Sequence, residues 1–427
     1  MFSSLASFNY RLFFWGQLVS VSGTWMQTVA QAFLVLQLTG SGTDLGLATG
    51  ARFVPVFLFG PWGGLVADRL DKRRVLYATQ ALSGLLALAL GVLVGTHTIR
   101  MWMVYVLALA LGFVNVFDNP ARQSLISELV PRPLLRNAVT LNSVTVNMAR
   151  IFGAAIGGGV AAALGLALCF DVNAASFAAV IISLAFMSAA QMVAGKREPR
   201  EPGQIRAGLA YVRTEPELLV PLLMVAVIGA LAWEFPISLP LMARSVFHGG
   251  AGTYGAMTAA MGAGAVAGGL ITASRKQLRR RGLAIAAIGW GIAITAAAIA
   301  PSLLAEYVIL VFVGYGSISF NSLAKTALQL SATPGMRGRV MSLWGVAWLG
   351  STPVGGPIVG WIGEEFGARW SLIIGGVPTI LVGIMTYPIL ARVDRKRAER
   401  RADRDRATAG VPVASTDAGT ALGHEAT

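Results

Sequence analysis

The chain has 427 residues, of which 55% are apolar and 13% charged, with a mean hydropathy of +0.66. Soluble chains carry roughly 45–50% apolar and about 25% charged residues, and a globule still needs a polar surface, so this composition excludes a soluble fold and calls for lipid as solvent. The formal charge of +14 lies in short basic clusters between apolar runs, a pattern that orients membrane helices and argues against a nucleic-acid partner. A single cysteine, Cys169, excludes an intrachain disulfide and a Cys-based zinc site, and neither cofactor nor metal is expected.

A spanning helix needs about 20 apolar residues. Twelve such runs begin near residues 12, 46, 75, 101, 137, 167, 218, 253, 283, 303, 340 and 368. The first lacks a small-residue cleavage pattern and is expected to remain. The expected architecture is an all-α membrane protein with twelve transmembrane helices in two six-helix pseudo-repeats around a central cavity. Residues 1–195 form the N-terminal half, 196–217 a linker, 218–392 the C-terminal half, and 393–427 a charged and then Ala/Gly/Thr-rich tail expected to be disordered. In the linker, Ile205, Leu209 and Val212 recur at helical spacing among charges, which predicts a short helix on the membrane surface. Lys and Arg number 29 on the side of the termini and 3 on the other, with Arg52 and Arg150 inside spans. Both termini are therefore expected in the cytoplasm.

The two halves repeat. At an offset of 203, Phe117, Ala121, Arg122, Leu125, Pro131 and Arg136 match Phe320, Ala324, Lys325, Leu328, Pro334 and Arg339, and at an offset of 205, Gly63, Gly64, Leu65 and Arg74 match Gly268, Gly269, Leu270 and Arg279. Parallel repeats place a substrate site between the halves and give alternating access by rocking.

In chain order, span one carries Gln17, Ser20, Thr24, Gln27 and Gln31 on one helical face. Lipid does not face such a stripe; it either lines a cavity or is satisfied by interhelical hydrogen bonds. The connection after span two reads GLVADRLDKRRVL, Gly64 to Leu76. Here Asp68 is a carboxylate at a helix end beside Arg69, Lys72 and Arg73, suited to dock against the other half and be released. Span four offers Asn115, Asp118 and Arg122, and span five Ser143, Asn147 and Arg150, each on one face; spans one, four and five are expected around a wet cavity. Span five continues as ARIFGAAIGGG, where Gly153 and Gly157, four apart, permit close helix approach or gating, with Gly158 beside them. In span seven, WEFPISLP places Trp233 and Glu234 beside the helix-disrupting Pro236. A carboxylate at that depth is a functional candidate by default, and Glu234 is the first choice for a proton carrier, with Asp118 second. Span eleven holds Pro353 and Pro357, which invite a kink. Trp15, Trp102 and Trp370 fall near span ends as interface anchors, whereas Trp25, Met257, Met261, Trp344 and Trp348 lie deeper, suited to core packing or to stacking a cargo.

The loop from Gly64 resembles the signature of the major facilitator superfamily, with Gly64, Asp68, Arg69, Lys72 and Arg73 in matching positions and Asp71 where a second Gly is usual. FDNPARQSLISELVP (Phe117 to Pro131) and MRGRVMSLW (Met336 to Trp344) resemble its branch of siderophore exporters and macrolide efflux proteins. Gly153, Gly157 and Gly158 are similar to the exporters' antiporter motif, with Ala154 in place of Pro. The resemblance implies a conformational latch at the first motif and an exporter of a small amphipathic compound, drug or siderophore-like, in exchange for protons. An importer or facilitator of the same fold, or a transporter-like sensor without flux, stays open. No G-x-x-x-x-G-K-[S/T] is present, so an ATPase on this chain is excluded. His97, His248 and His424 lie in connections or the tail, which leaves no cluster for an intramembrane enzyme. A monomer in a bacterial inner membrane is expected.

Overall fold

A computed structural model describes residues 3–188, 192, 204–274, 280–333 and 335–409. The elements in order are α1 (Phe8–Thr39), α2 (Gly42–Arg69), α3 (Lys72–Gly95), α4 (Met101–Leu129), α5 (Leu135–Leu164), α6 (Leu166–Ala185), α7 (Gln204–Thr214), α8 (Pro216–Ala232), α9 (Phe235–Leu241), α10 (Ala251–Ser274), α11 (Arg281–Ala298), α12 (Leu303–Ser331), α13 (Arg337–Leu349), α14 (Thr352–Glu365) and α15 (Ala368–Ala409). Nine helical stretches among the described residues are long and apolar enough to cross a membrane. With α1, α2 and the broken path α13–α14, the order accommodates the twelve expected spans.

Local chemistry sets the breaks. α1 ends at Gly40, whose φ of 70° is open to glycine at no steric cost. Asp71, the residue that departs from the superfamily signature, caps α3 by accepting from the backbone N–H of Arg73 at 2.8 Å and of Arg74 at 3.3 Å. α8 stops at Ala232 and α9 starts after Glu234. Pro236 supplies no N–H and its ring crowds the carbonyl four residues earlier, which favours the break seen in span seven. Span eleven breaks at Gly350–Ser351, just ahead of Pro353.

One expectation changes, and the linker helix gains a packing partner. α15 continues to Ala409, so the chain beyond residue 393 begins as helix; its Arg, Glu, Asp and Ala run holds strong helix formers with opposite charges at helical spacing. Residues 410–427 lie outside the described set. The linker helix α7 packs against the C-terminal half: Val212 is fully buried beside Leu218, Leu328 and Val340, and Tyr211 Oη accepts from the Thr333 N–H at 3.3 Å. Two charged flanks hide this hydrophobic face from a sequence reading that offers only membrane as its partner. Residues 196–203 lie outside the described set.

The repeat is visible in packing. A Cβ on Gly63 would lie 2.0 Å from the Val116 carbonyl oxygen, and one on Gly268 would lie 2.7 Å from that of Tyr315, so α2 meets α4 as α10 meets α12. The matched pairs Ala121/Ala324 and Leu125/Leu328 are all fully buried.

Contacts between the halves gather on the face away from the termini. There α2 meets α14 at Gly42/Gly360 and Gly46/Gly356, and α5 meets α10 at Gly158/Gly255. The Glu364 carboxylate accepts from Ser41 Oγ at 2.7 Å and the Thr43 N–H at 2.9 Å, and the Arg244 guanidinium donates to the Leu36 carbonyl. Toward the terminal face the halves part: Ser143, on the α5 face that further along carries Ala154 and Gly158 against α10, is exposed.

Candidate functional site

Between the halves lies a cavity of about 210 Å³. The N-terminal half contributes Trp25 from α1, Thr49 and Phe53 from α2 and Arg150 from α5; the C-terminal half contributes Trp233, Glu234, Phe235, Pro236 and Leu239 around the α8–α9 break, Tyr254, Thr258 and Met261 from α10, Ser317 from α12, and Trp348 and Thr352 flanking the α13–α14 break. The break in span seven thus lies at the cavity, where irregular backbone at membrane depth is tolerated, and the residues flanking the break in span eleven line it too.

Glu234 is 2% exposed. Its backbone carbonyl starts α9 by accepting from Ile237 and Ser238 at 3.0 Å each. Its side chain is hydrogen-bonded to Thr352, and Oε1 has no partner among the described residues. Across the cavity, the Arg150 guanidinium lies 5.0 Å from the Trp25 ring centroid, a cation–π arrangement worth about 0.5–2 kcal/mol; its Nε is buried without a hydrogen-bond partner. Trp233 sits against Trp348 at a centroid distance of 3.9 Å and against Trp290 at 4.8 Å, and Trp344 stacks on Trp348 at 5.6 Å. An indole wall therefore lies beside the carboxylate.

Of the residues expected to line the cavity, Arg150 and Trp233 do so. The span-one stripe does not: the polar contacts it makes are within its own half. Gln17 Oε1 accepts from the Arg122 guanidinium, Gln27 Oε1 accepts from Asn173 Nδ2 at 2.6 Å, Ser20 is buried, and the Thr24 hydroxyl donates to the Ser20 carbonyl at 3.0 Å. Gln31 and Asn115 are half-buried outside the lining. Ser143 and Asn147 bond back to their own helix, to the Val139 and Ser143 carbonyls. Asp118 is also away from the cavity: its carboxylate accepts from Thr79 Oγ1 at 2.8 Å, from Gln80 Nε2 at 2.6 Å and from the Arg122 guanidinium. Gly153 and Gly157 press on Ser22 and Met26 of α1 within one half, whereas Gly158 lies on the seam between halves.

At the first motif, the side chain of Asp68 lies outside the described residues. Gly64 is half-buried and Arg69 is exposed. Lys72 pairs with Glu128 of α4 at 2.6 Å, and Arg73 Nη2 donates to the Leu184 carbonyl at 2.6 Å, both partners being in the same half. The motif makes no described contact with the C-terminal half. Tyr254, Thr258, Ser317 and Thr352 were not singled out from the sequence. They are uncharged hydroxyls on largely apolar helices; Tyr254 and Thr258 lie four apart on α10, too short a pattern to stand out as a stripe.

The sequence and the fold match known proteins over most of the chain. The multidrug efflux pump Tap of Mycolicibacterium fortuitum is 26% identical over 90% of this chain and 96% of its own length. The enterobactin exporter EntS of Salmonella typhimurium is 23% identical, covering 91% and 94%. Among solved structures, the POT family transporter PepTSo superposes with a TM-score of 0.71 at 13% identity, over 91% of this chain and 99% of that one. A family model described as transmembrane secretion effector matches residues 1–413. The chain is a multi-pass membrane transporter and not an enzyme, and it belongs to the transmembrane secretion effector family of the major facilitator superfamily.

Proposed function

We propose that this chain is a secondary active exporter that moves a small amphipathic compound, drug or siderophore-like, out of a bacterial cell in exchange for protons. The observation that carries the reading is Glu234: a buried carboxylate at a helix break, facing a cavity between the two halves, with one oxygen unpartnered. A group so placed meets different neighbours as the halves rock, and its proton affinity changes with them. Asp118 is the weaker candidate, because three donors hold it away from the cavity. Export is supported by the two relatives named as efflux pump and exporter.

The Lys and Arg bias makes the terminal face cytoplasmic, in the inner membrane, so the state described here opens inward. On closure toward the cytoplasm, Gly64, Asp68, Arg69, Lys72 and Arg73 form the latch against the C-terminal half, and the protein works as a monomer. The test starts in cells with and without the gene, where compound sensitivity and secreted metabolites identify the cargo. Flux of that compound in proteoliposomes with and without an imposed pH gradient then tests coupling. Gradient-driven flux in the parent supports the reading; flux indifferent to the gradient contradicts it.

A further inference from the structure

We infer that the cargo headgroup is a zwitterion that spans the two halves, its acidic group on Arg150 and its ammonium on Glu234, with an aromatic body against the tryptophans. This rests on the proposed export reading and names the chemistry of the same cavity.

Three observations carry it. First, the cavity holds one cation and one carboxylate, contributed by opposite halves. Second, neither group is saturated: Arg150 faces an indole and keeps a buried Nε free, and Glu234 keeps Oε1 free. A buried guanidinium or carboxylate is expensive unless it is paired, and no ion pair between the two is present among the described residues. Third, the lining they share is aromatic, with Trp25 under the guanidinium and the edge-to-face pair Trp233 and Trp348 in the same cavity as the carboxylate. A ligand carrying both charges gives the guanidinium and the carboxylate an opposite charge each. A singly charged ligand satisfies one and leaves the other desolvated, so the pocket selects by penalty as well as by attraction.

The sign of the coupling follows. The titratable groups facing Glu234 across the cavity are Arg150 of α5 and Tyr254 of α10. An ammonium docks on the ionised carboxylate, so its arrival expels the proton, and its departure on the far side lets a proton return. Cargo and proton compete for one group, as exchange requires. A purely anionic cargo would instead pair with Arg150 and favour the protonated carboxylate, which moves proton and cargo in the same direction. A net-neutral zwitterion leaving as a proton enters also carries one positive charge inward, so the exchange responds to membrane potential.

Binding of four matched probes to the purified full chain in detergent tests this by equilibrium dialysis, with empty micelles subtracted. The probes are 2-naphthylalanine, its methyl ester, its N-acetyl derivative and the N-acetyl methyl ester, which are zwitterionic, cationic, anionic and neutral. The expected order places the zwitterion at least tenfold tighter than any other. Arg150→Gln should cost the zwitterion and the anion about tenfold and spare the ester, and Glu234→Gln should cost the zwitterion and the ester and spare the N-acetyl probe. Arg150→Lys should restore part of the loss, and unliganded thermal unfolding confirms that each variant is folded. Four affinities within threefold of one another, equal losses for all probes, or no zwitterion binding at millimolar concentration would each overturn the inference. Charge-selective binding with gradient-indifferent flux would sink the proton-exchange reading and leave the zwitterion standing. Loss of gradient coupling in Glu234→Gln without charge selectivity would do the reverse.

Discussion

Asp118 in the N-terminal half and Glu234 in the C-terminal half are each 2% exposed, yet their surroundings are opposite. Asp118 sits on a continuous helix, and Thr79, Gln80 and Arg122 tie it to α3 and α1 through Gln17. Glu234 sits where a helix is broken, with Thr352 as its side-chain partner and one oxygen free. The repeat sharpens the contrast. Position 321 corresponds to Asp118 and position 325 to Arg122 at the offset of 203, and there the chain has Asn321 and Lys325. The acid has become an amide whose Oδ1 has no partner among the described residues, and Lys325 lies over the Trp344 ring at 5.3 Å. Asp118 is held in a frame of three donors. Glu234 keeps one oxygen without a partner at the cavity, which is where a change of protonation has room to act.

The comparison breaks first at the frame. Asp118→Ala leaves the Arg122 guanidinium largely buried without its carboxylate and should cost about 3 kcal/mol, appearing as a large drop in thermal unfolding temperature and yield. An unchanged unfolding temperature would show that the N-terminal network is dispensable. Next, Gly46→Val places a side chain where even a Cβ would lie 2.4 Å from the Gly356 carbonyl oxygen. Overpacking there should cost about 1–3 kcal/mol of the closed distal seam and raise labelling of a cysteine placed near Ser41 from that side. Labelling equal to the parent would place the seam elsewhere.

Smaller effects sharpen the contrast. Asn321→Asp rebuilds in the C-terminal half the acid–base spacing of Asp118 and Arg122, and should raise stability by about 0.3–0.5 kcal/mol through Lys325, measured as a modest upward shift in unfolding temperature. A downward shift would mean that Lys325 does not reach. At the distal mouth, hydrogen bonds from Thr43 and Ser41 hold the exposed Glu364 carboxylate below its ordinary range. Its contribution is therefore present above the ordinary carboxylate pKa of about 4.3 and is lost as pH falls through the lowered folded value. Acidifying that side should open the mouth, read by the same labelling, and Glu364→Gln should remove the pH dependence.

Much of this was legible in the sequence. Apolar run length gave the spans, Pro236 marked the break at Glu234, and Pro353 marked the break in span eleven. Arg150 and Trp233 were found because a charge or an indole at membrane depth is conspicuous. The span-one glutamines were misplaced because a polar stripe reports only that lipid is absent, and a neighbouring helix satisfies it as well as water does. Tyr254, Thr258 and Thr352 were invisible for the opposite reason: one or two uncharged hydroxyls on a helix make no long stripe. The docking of α7 depended on which surface met Val212, and spacing along one helix does not contain that.

The central claim is that the exchanged proton resides on Glu234 in the C-terminal half and not on Asp118 in the N-terminal half. The most direct measurement is flux of the identified cargo in proteoliposomes, parent against Glu234→Gln, with and without an imposed pH gradient. The account predicts that Glu234→Gln keeps downhill exchange of cargo and loses accumulation driven by the gradient; a variant that answers the gradient as the parent does would contradict it.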